Sequence, residues 1–187
     1  MSNEAASGYR VRLRHSHALS GTDRQVLQRF LYDAFAGDFD DSDFDHCLGG
    51  VHVFAEDDRG MVGHAAVVQR SLVAGDTVLR TGYVEAVAVA ARMRRRGVGD
   101  AVMARVDDIV VRAHDLGALS ASADGRPLYL RRGWEPWRGP LGVLTVDGMR
   151  PSPDDDQDSA LILRTPSCAD LDTGQRLTCD WRNGSDW

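Results

Sequence analysis

The stretch that decides the fold runs from residue 83 to residue 102 and reads Tyr-Val-Glu-Ala-Val-Ala-Val-Ala-Ala-Arg-Met-Arg-Arg-Arg-Gly-Val-Gly-Asp-Ala-Val. Residues 83–91 are apolar except for Glu85 and rich in valine, a pattern typical of a central strand that is buried on both faces. Apolar residues then recur at helical spacing from Val98 to Ala113. The stretch therefore predicts a strand, a turn and an amphipathic helix.

The turn between this strand and this helix has the sequence Arg94-Arg95-Arg96-Gly97-Val98-Gly99. Glycines let backbone N–H groups approach a ligand, and the first turn of a helix offers unpaired N–H donors at the positive end of its dipole. Such a turn binds phosphate, and a pyrophosphate fits it best. The alternative is an ordinary basic turn. The spacing matches neither the dinucleotide-binding Gly-x-Gly-x-x-Gly motif nor a P-loop.

The order Arg-x-x-Gly-x-Gly, after a strand that carries a glutamate, resembles the acetyl-CoA signature of the GNAT N-acetyltransferase superfamily. The resemblance implies an α+β fold: a mixed, mostly antiparallel sheet of six or seven strands, with flanking helices and a splayed central strand. The predicted meander before that strand and β-α-β unit after it agree with this order. Acetyl-CoA would bind along Val87, Ala88 and Val89, with its pyrophosphate at residues 94–99. The Val87 N–H would polarise the thioester carbonyl.

Several local patterns predict the elements around the central strand. Alternation over residues 9–14 predicts a first strand, and Ser20 to Asp23 offer N-cap residues for a helix that Gly37 ends. Two further strands, 51–55 and 62–69, are expected to form a hairpin, followed by short strands at 72–74 and 77–81. Asp124 is expected to cap a short helix over residues 125–132.

Length and composition restrict the class of protein. A chain of 187 residues with 43% hydrophobic content buries one good core, so we expect a single domain over residues 1–187, with residues 1–8 disordered. The start resembles no signal peptide and no apolar stretch reaches about 18 residues, which predicts a cytoplasmic protein. The net charge of −6 disfavours nucleic acid or an anionic membrane as the main partner and is compatible with a cationic one.

The cysteines and histidines give no sign of a metal site. Cys47, Cys168 and Cys179 are too few and too scattered for a disulfide framework or a Cys-rich zinc site, so we expect free thiols. His52 and His64 fall on two predicted strands, without another ligand at suitable spacing. We expect them to form local hydrogen bonds, and we expect no metal.

Three segments concentrate aspartate. Residues 38–45 hold five aspartates and two phenylalanines, and taken alone they also fit a solvated short helix capped by Asp41 or Ser42. Residues 149–158 form a polar loop, the second acidic cluster, which also fits a linker. Residues 179–187 place aspartates and tryptophans in what would otherwise be a disposable tail. The phenylalanines indicate that the first segment folds onto the body of the protein.

Two residues are candidates for proton transfer. Acetyl transfer to an amine needs a neutral nucleophile, and Glu85 is the candidate base, directly or through water, because burial in an apolar strand favours a proton on its carboxyl group. The alternative is a glutamate at a strand end that faces solvent. The GNAT resemblance implies that Tyr129 is the general acid for the departing thiolate, whereas core packing is the alternative for a helical tyrosine.

A narrower resemblance covers nearly the whole chain. It rests on Ala34-Phe-Ala-Gly-Asp-Phe39, Leu48-Gly-Gly50, Gly82-Tyr-Val-Glu85, Leu116-Gly-Ala-Leu-Ser120, Arg132-Gly-Trp134, Pro136-Trp137, Pro153-Asp-Asp-Asp156 and Cys179-Asp-Trp-Arg182. Together these segments resemble the aminoglycoside 2′-N-acetyltransferases of mycobacteria. The resemblance implies a homodimer and a substrate site formed by Asp38, Asp43, Glu85, Ala86, Ser120, Asp155 and the carboxylate of Trp187. This sequence departs from the family at Ala86, where glycine is usual, and at Ser185, where an aspartate is expected.

The sequence therefore predicts an acetyl-CoA-dependent N-acetyltransferase that modifies the 2′-amino group of aminoglycoside antibiotics and confers resistance. Acidic clusters with aromatic neighbours suit a polycation rich in hydroxyl groups. No cysteine lies near the motifs, so we expect direct attack without an acyl-enzyme. The alternatives are a GNAT enzyme for a housekeeping amine, such as a cell-wall amino sugar, a polyamine or a protein N-terminus, and a non-catalytic module that binds acyl-CoA or the drug.

Overall fold

The computed structural model describes residues 8–153 and 158–187, in which the chain forms four α-helices and ten β-strands. The helices are α1 (Gly21–Phe35), α2 (Asp41–His46), α3 (Val98–Ala113) and α4 (Arg126–Arg131). The strands are β1 (Arg10–His15), β2 (Val51–Asp57), β3 (Gly60–Ala74), β4 (Thr77–Val89), β5 (Leu116–Ser120), β6 (Glu135–Pro136), β7 (Leu141–Thr145), β8 (Gly148–Pro151), β9 (Ala160–Arg164) and β10 (Leu177–Asp180). The predicted α+β class, with a mixed and mostly antiparallel sheet, is confirmed.

The chain divides into two compact units. Unit 1 holds the described residues up to Val68 together with Glu85–Val106. Unit 2 holds Gln69–Val84 and Asp107–Trp187. Strands β3 and β4 and helix α3 each contribute residues to both units.

In unit 1, β1, β2 and β3 pair in antiparallel fashion, from Arg10↔Glu56 to His15↔Val51 and from Val51↔Val67 onward. Between Ala55 and Glu56 the partner on β3 changes from Gly63 to Met61, so Val62 is the extra residue of a bulge in β3. Helix α1 begins at Ser20, whose side chain accepts the Asp23 N–H while the Asp23 carboxylate accepts the Ser20 N–H. These two bonds satisfy donors that the first turn of a helix leaves unpaired.

The apolar face of α1 supplies the core of unit 1. Leu27 and Leu31 are fully buried and belong to a hydrophobic cluster with Phe44 of α2 and Phe54 of β2. The N-cap of α2 is Asp40, whose carboxylate accepts the N–H groups of residues 42 and 43, and not Asp41 or Ser42 as the alternative interpretation of this segment had it. Asp40 has the extended backbone conformation and the short acceptor side chain that are favoured at an N-cap.

In unit 2, the strands pair in the order β6-β9-β5-β4-β3-β10-β7-β8. Strands β4 and β5 are parallel and pair over only three positions, from Thr81↔Leu116 to Tyr83↔Ala118. The early end of this ladder agrees with the predicted splay of the central strand. Glycine at position 117 is required by packing, because a Cβ there would lie 2.9 Å from Val110 and 3.1 Å from Trp134.

The described residues contain more strands than the six or seven that the sequence predicted. Strands β8 and β10 are four residues long, which is too short to produce a periodic signal. Strand β3 runs unbroken from Gly60 to Ala74, although the polar residues 69–71 had suggested an interruption. Helix α4 begins after Gly125 without a side-chain cap, so the predicted capping role of Asp124 is wrong.

Candidate active site

The carboxyl half of β4 carries the predicted base and belongs to unit 1. Glu85, Ala86 and Val87 are half-buried, whereas Ala88 is buried. Ala86 has a φ of 49°, in the left-handed region that favours glycine. A non-glycine residue there costs about 1–2 kcal/mol, so surrounding contacts must hold it.

The acidic segment, residues 38–45, packs onto this part of β4. Phe44 is buried in the hydrophobic cluster that also contains Ala88, and Phe39 and Ala86 are packed against the same cluster. The ring of Phe39 stacks on Phe35 at a centroid distance of 5.0 Å. The prediction that this segment is folded onto the body of the protein is therefore confirmed.

Within the acidic segment, three carboxylates are used by the local structure. Asp40 caps α2, and Asp43 accepts the backbone N–H of Asp40 at 3.0 Å. Asp41 accepts hydrogen bonds from the Tyr32 hydroxyl and from Gln28. Asp38 is exposed and lies between α1 and α2, where its carboxylate is open to a ligand from solvent.

The predicted pyrophosphate turn joins β4 to α3 within unit 1. Arg95 and Gly97 have φ angles of 60° and 80°, and left-handed residues turn neighbouring N–H groups toward one side, which favours anion binding. Residues 94–97 are exposed, whereas Val98 is buried and fixes the start of α3. The N–H groups of the first helical turn are therefore available at the positive end of the dipole.

The three arginines of this turn differ in their contacts. Arg94 donates to the carbonyl oxygen of Ala34 at 3.1 Å and to that of Val89 at 3.4 Å. Its guanidinium thereby ties the last turn of α1 to the end of β4. Within the part of the chain that the structure describes, the side chains of Arg95 and Arg96 form no ion pair, and both are exposed.

Tyr129 of unit 2, the predicted general acid, lies on α4 and is buried. Burial raises the pKa of its hydroxyl to about 12, so the group stays protonated at neutral pH. Its ring lies 6.3 Å from that of Trp134 in a tilted arrangement. Ser120, another predicted site residue, is exposed at the end of β5.

The C-terminal segment of unit 2 is anchored by a buried arginine. Arg70 of β3 is 6% exposed and donates to the Asp180 carboxylate, the Asp180 carbonyl and the Asp186 carbonyl, at 2.9, 2.7 and 2.8 Å. The guanidinium also lies 4.7 Å from the centre of the Tyr83 ring. The Trp187 indole is buried and donates to the Ser152 hydroxyl at 2.7 Å. The predicted site residue Asp155 lies outside the described residues.

A chain of buried polar side chains in unit 1 was not predicted to belong to the site. Ser16 Oγ lies 2.8 Å from His52 Nε2, His52 Nδ1 lies 2.9 Å from His64 Nε2, and His64 Nδ1 lies 3.0 Å from the Ala86 carbonyl oxygen. Both histidines are fully buried. Their expected local hydrogen bonds are confirmed, but the contact with Ala86 joins residues 22 positions apart and had no sequence signal beyond two histidines on paired strands.

Other features of the structure lie apart from these groups. A cavity of about 550 Å³ in unit 1 is lined by Gly8–Arg10, Arg12 and Glu56–Asp58, none of which was a predicted site residue. In the described ranges 8–153 and 158–187, no group of three or more His, Cys, Asp or Glu side chains is arranged to hold a metal ion. The three cysteines are free thiols, as predicted. None of the helices described is long and apolar enough to cross a membrane.

Comparison with known proteins shows that the chain is similar to acetyltransferases. A family model described as an acetyltransferase (GNAT) domain matches residues 25–137. The aminoglycoside 2′-N-acetyltransferase of Mycolicibacterium fortuitum is 45% identical over 178 residues, which cover 95% of this chain and 91% of that protein.

Two solved structures share the fold. The GNAT family N-acetyltransferase YhbS of Escherichia coli, in complex with CoA, aligns with a TM-score of 0.67 at 15% identity, over 97% of this chain and 94% of that one. Escherichia coli ElaA aligns with a TM-score of 0.57 at 17% identity, over 82% of this chain and 98% of that one. At these identities the likeness concerns the fold alone.

Proposed function

Because this chain belongs to the GNAT acetyltransferases and, within them, to the family of the aminoglycoside 2′-N-acetyltransferase of M. fortuitum, we propose that it transfers an acetyl group from acetyl-CoA to the 2′-amino group of aminoglycosides. Modification of that amine would confer resistance. The observation that carries the proposal is the packing of the acidic segment, residues 38–45, onto the cluster that contains Ala88 and against which Ala86 packs. Carboxylates thereby lie near the strand that carries Glu85.

This arrangement suits a cationic acceptor. Aminoglycosides carry several ammonium groups, and exposed carboxylates attract them through charge-assisted hydrogen bonds. Asp38 offers such a carboxylate, whereas Asp43 shares its own with the N-cap of α2. We therefore assign Asp38 the larger role in gripping the substrate. Ala86, Ser120, Asp155 and Trp187 remain predicted members of the acceptor site.

The exposed turn at residues 94–99 is the proposed site for the pyrophosphate of acetyl-CoA. Its left-handed residues and the N-terminus of α3 supply N–H donors, and Arg95 and Arg96 add positive charge. Arg94 acts mainly by holding the turn against α1, since its guanidinium already bonds two carbonyl groups. When bound, acetyl-CoA supplies the activated acetyl group.

The protein's own groups would then direct attack by the amine. Glu85 accepts a proton from the 2′-ammonium, directly or through water, so that the amine has a free lone pair. The Val87 N–H stabilises the charge that develops on the thioester oxygen. Tyr129 would donate a proton to the departing thiolate as the carbon–sulfur bond breaks, and its raised pKa keeps that proton in place at neutral pH. The nitrogen would lose its second proton as the amide forms, and that proton would restore Tyr129 through solvent.

Thiol release from acetyl-CoA tests the proposed function. Tobramycin has a 2′-amino group and kanamycin A has a hydroxyl group at that position, so release with tobramycin alone is the expected result. Equal release with both compounds would mean that another amine is acetylated. Release with neither would reject an aminoglycoside substrate and favour a housekeeping amine or a binding function.

Substitution of Glu85 by glutamine tests the assignment of the base. Because the amide cannot accept the proton, Glu85→Gln should lower kcat by about 10²- to 10⁴-fold. The Kd for acetyl-CoA, measured by calorimetry, should stay within about twofold of the wild-type value, because the pyrophosphate turn is unchanged. An unchanged kcat would remove Glu85 from the mechanism.

A matched pair of aspartates tests the acidic segment. Asp38 and Asp45 are both exposed, but only Asp38 is a predicted substrate ligand. Asp38→Asn should raise KM for tobramycin by about 10- to 150-fold, since a charge-assisted hydrogen bond contributes about 1.5–3 kcal/mol. Asp45→Asn should leave KM unchanged, and equal effects of the two variants would indicate general electrostatic attraction instead of a specific contact.

The homodimer and the cytoplasmic location remain predictions from the resemblance and the sequence. Analytical ultracentrifugation of the purified protein measures the first of these, and a mass equal to one chain would reject it.

A further inference from the structure

The chain of hydrogen bonds from Ser16 to Ala86 ends on a group that restricts its proton positions. The Ala86 oxygen is a carbonyl and can only accept, so His64 must carry a proton on Nδ1. Burial lowers the pKa of His64 to about 3 and that of His52 to about 4, so both rings are neutral at pH 7. A neutral His64 with a proton on Nδ1 has an unprotonated Nε2.

The remaining protons follow in sequence. His52 must donate from Nδ1 to the unprotonated Nε2 of His64, which leaves its own Nε2 as an acceptor. Ser16 Oγ lies near two acceptors, His52 Nε2 at 2.8 Å and the Gly50 carbonyl oxygen at 3.1 Å. Its single hydroxyl proton goes to His52, the nearer of the two, because His52 Nε2 carries no proton of its own. Ser16 Oγ also accepts the Gly49 N–H at 2.9 Å. The four bonds that join Gly49 to Ala86 then all point the same way, toward Ala86. Because the last acceptor is a carbonyl group, the chain cannot deliver a proton to a base and serves to hold a peptide group.

The peptide group that it holds joins Ala86 to Val87. Among the described residues no peptide bond is cis, and in a trans peptide the C=O and the N–H point in opposite directions. Fixing the Ala86 carbonyl on His64 therefore also fixes the direction of the Val87 N–H. The left-handed φ of Ala86 is a conformation that persists only where other contacts impose it, and the His64 bond is such a contact.

We propose that Ser16, His52 and His64 are positioning residues that hold the Ala86–Val87 peptide and thereby aim the Val87 N–H at the acyl carbonyl. The inference rests on the proposed function, because it uses the role assigned there to Val87. It adds three buried side chains to the residues that govern acetyl transfer. The effect of each side chain on kcat should decrease with its distance from Ala86 along the hydrogen bonds, so that His64 has the largest effect, His52 a smaller one and Ser16 the smallest.

Two substitutions at His64 separate positioning from packing. The amide nitrogen of asparagine can occupy the place of Nδ1, so His64→Asn keeps a donor for the Ala86 carbonyl, whereas His64→Leu removes it and keeps an apolar core. Positioning predicts that His64→Leu lowers kcat by about 10- to 100-fold, as expected for a displaced oxyanion donor. His64→Asn should retain kcat within about threefold of wild type, and KM for acetyl-CoA should change little in either variant.

Packing alone predicts the opposite order, because a buried asparagine is less favourable than a buried leucine. An Asn variant no better than the Leu variant in kcat would overturn the proposal. His52→Leu should have a smaller effect than His64→Leu, and Ser16→Ala the smallest. Equal losses at all three positions would also contradict it.

Nitrogen-15 NMR of the histidine rings in the purified protein at pH 7 tests the chain without any substrate. Both rings should be neutral and protonated at Nδ1, and the amide signal of Val87 should shift in His64→Leu but not in His64→Asn. A ring protonated at Nε2 alone, or an unshifted Val87 signal, would overturn the proposal. If tobramycin is not acetylated but these signals behave as expected, the proposed function fails while the positioning chain stands.

Discussion

The two units of the protein bury polar side chains in opposite ways. Unit 1 buries two neutral imidazoles and a hydroxyl group, whose bonds end on the Ala86 carbonyl. Unit 2 buries the charged guanidinium of Arg70, which bonds one carboxylate and two carbonyl groups. The hydrogen-bonded side chains of Ser16, His52 and His64 avoid the cost of burying charge, but only while the histidines stay neutral. The Arg70 guanidinium keeps its charge at any ordinary pH. The stability that the buried histidines contribute therefore depends on pH, whereas the stability that the buried arginine contributes does not.

The largest expected difference between the two buried polar groups is their response to acid, because a lower pH should reduce the stability that the histidines contribute but not the stability that Arg70 contributes. The pKa of His52 is lowered to about 4 and that of His64 to about 3, chiefly by burial. Below the ordinary pKa of about 6.5, the unfolded chain binds two protons that the folded chain does not bind. The contribution of the two histidines to the free energy of unfolding is therefore complete above about pH 6.5. As the pH decreases below this value, the free energy of unfolding falls by about 1.4 kcal/mol per pH unit for each histidine, or about 2.7 kcal/mol for both.

Denaturant unfolding between about pH 6 and pH 4 measures this slope. The double variant His52→Leu/His64→Leu should lose the contribution of these two histidines. It should keep the slope due to the carboxylates and to His114, whose pKa is also lowered, chiefly by burial. If the double variant and the wild-type protein have the same slope, the histidines are not buried in neutral form.

Loss of the guanidinium should be the next largest effect. Arg70→Met keeps the length of the side chain but removes three hydrogen bonds, so the free energy of unfolding should fall by about 3 kcal/mol. The figure is below that for a fully buried pair, because the Asp180 side chain is 53% exposed and regains water. The loss should be the same at pH 7 and pH 5.

A surface pair provides the matched control for Arg70. Arg112 and Asp108 form an exposed pair one helical turn apart. Arg112→Met should cost less than about 0.5 kcal/mol by the same measurement. If Arg70→Met costs no more than this, burial does not strengthen the contacts of Arg70.

The smallest expected effect concerns the backbone of Ala86, which the hydrogen bond from His64 holds. Ala86→Gly relieves the left-handed strain at φ 49° but increases the entropy of the unfolded chain, so unfolding should require about 0.5–1 kcal/mol more. In the His64→Leu background Ala86 is free to relax, and the gain should disappear. A double-mutant cycle measures this coupling, and an equal gain in both backgrounds would mean that another contact holds Ala86.

The family and the main elements were predictable because they rest on local signals. The GNAT resemblance inferred from residues 83–102 and the narrower resemblance are confirmed by the matching family model and the 45% identical relative. The cap at Ser20 and the start of α3 at Val98 also follow from short-range patterns. Strand β3 was predicted to break near Arg70, because no local signal shows that Asp180, 110 positions away, neutralises this arginine.

For the candidate site, the sequence by itself determined the residue types: a glutamate in an apolar strand, arginines and glycines before a helix, and carboxylates beside aromatic rings. Only the tertiary structure decided which of them are occupied by other contacts. It assigns Arg94 to the carbonyl group of Ala34 and Asp41 to the Tyr32 hydroxyl. It also joins His64 to Ala86. Periodicity and motifs record what neighbouring residues favour, whereas a hydrogen bond between distant residues depends on the register of paired strands, which only the folded chain fixes.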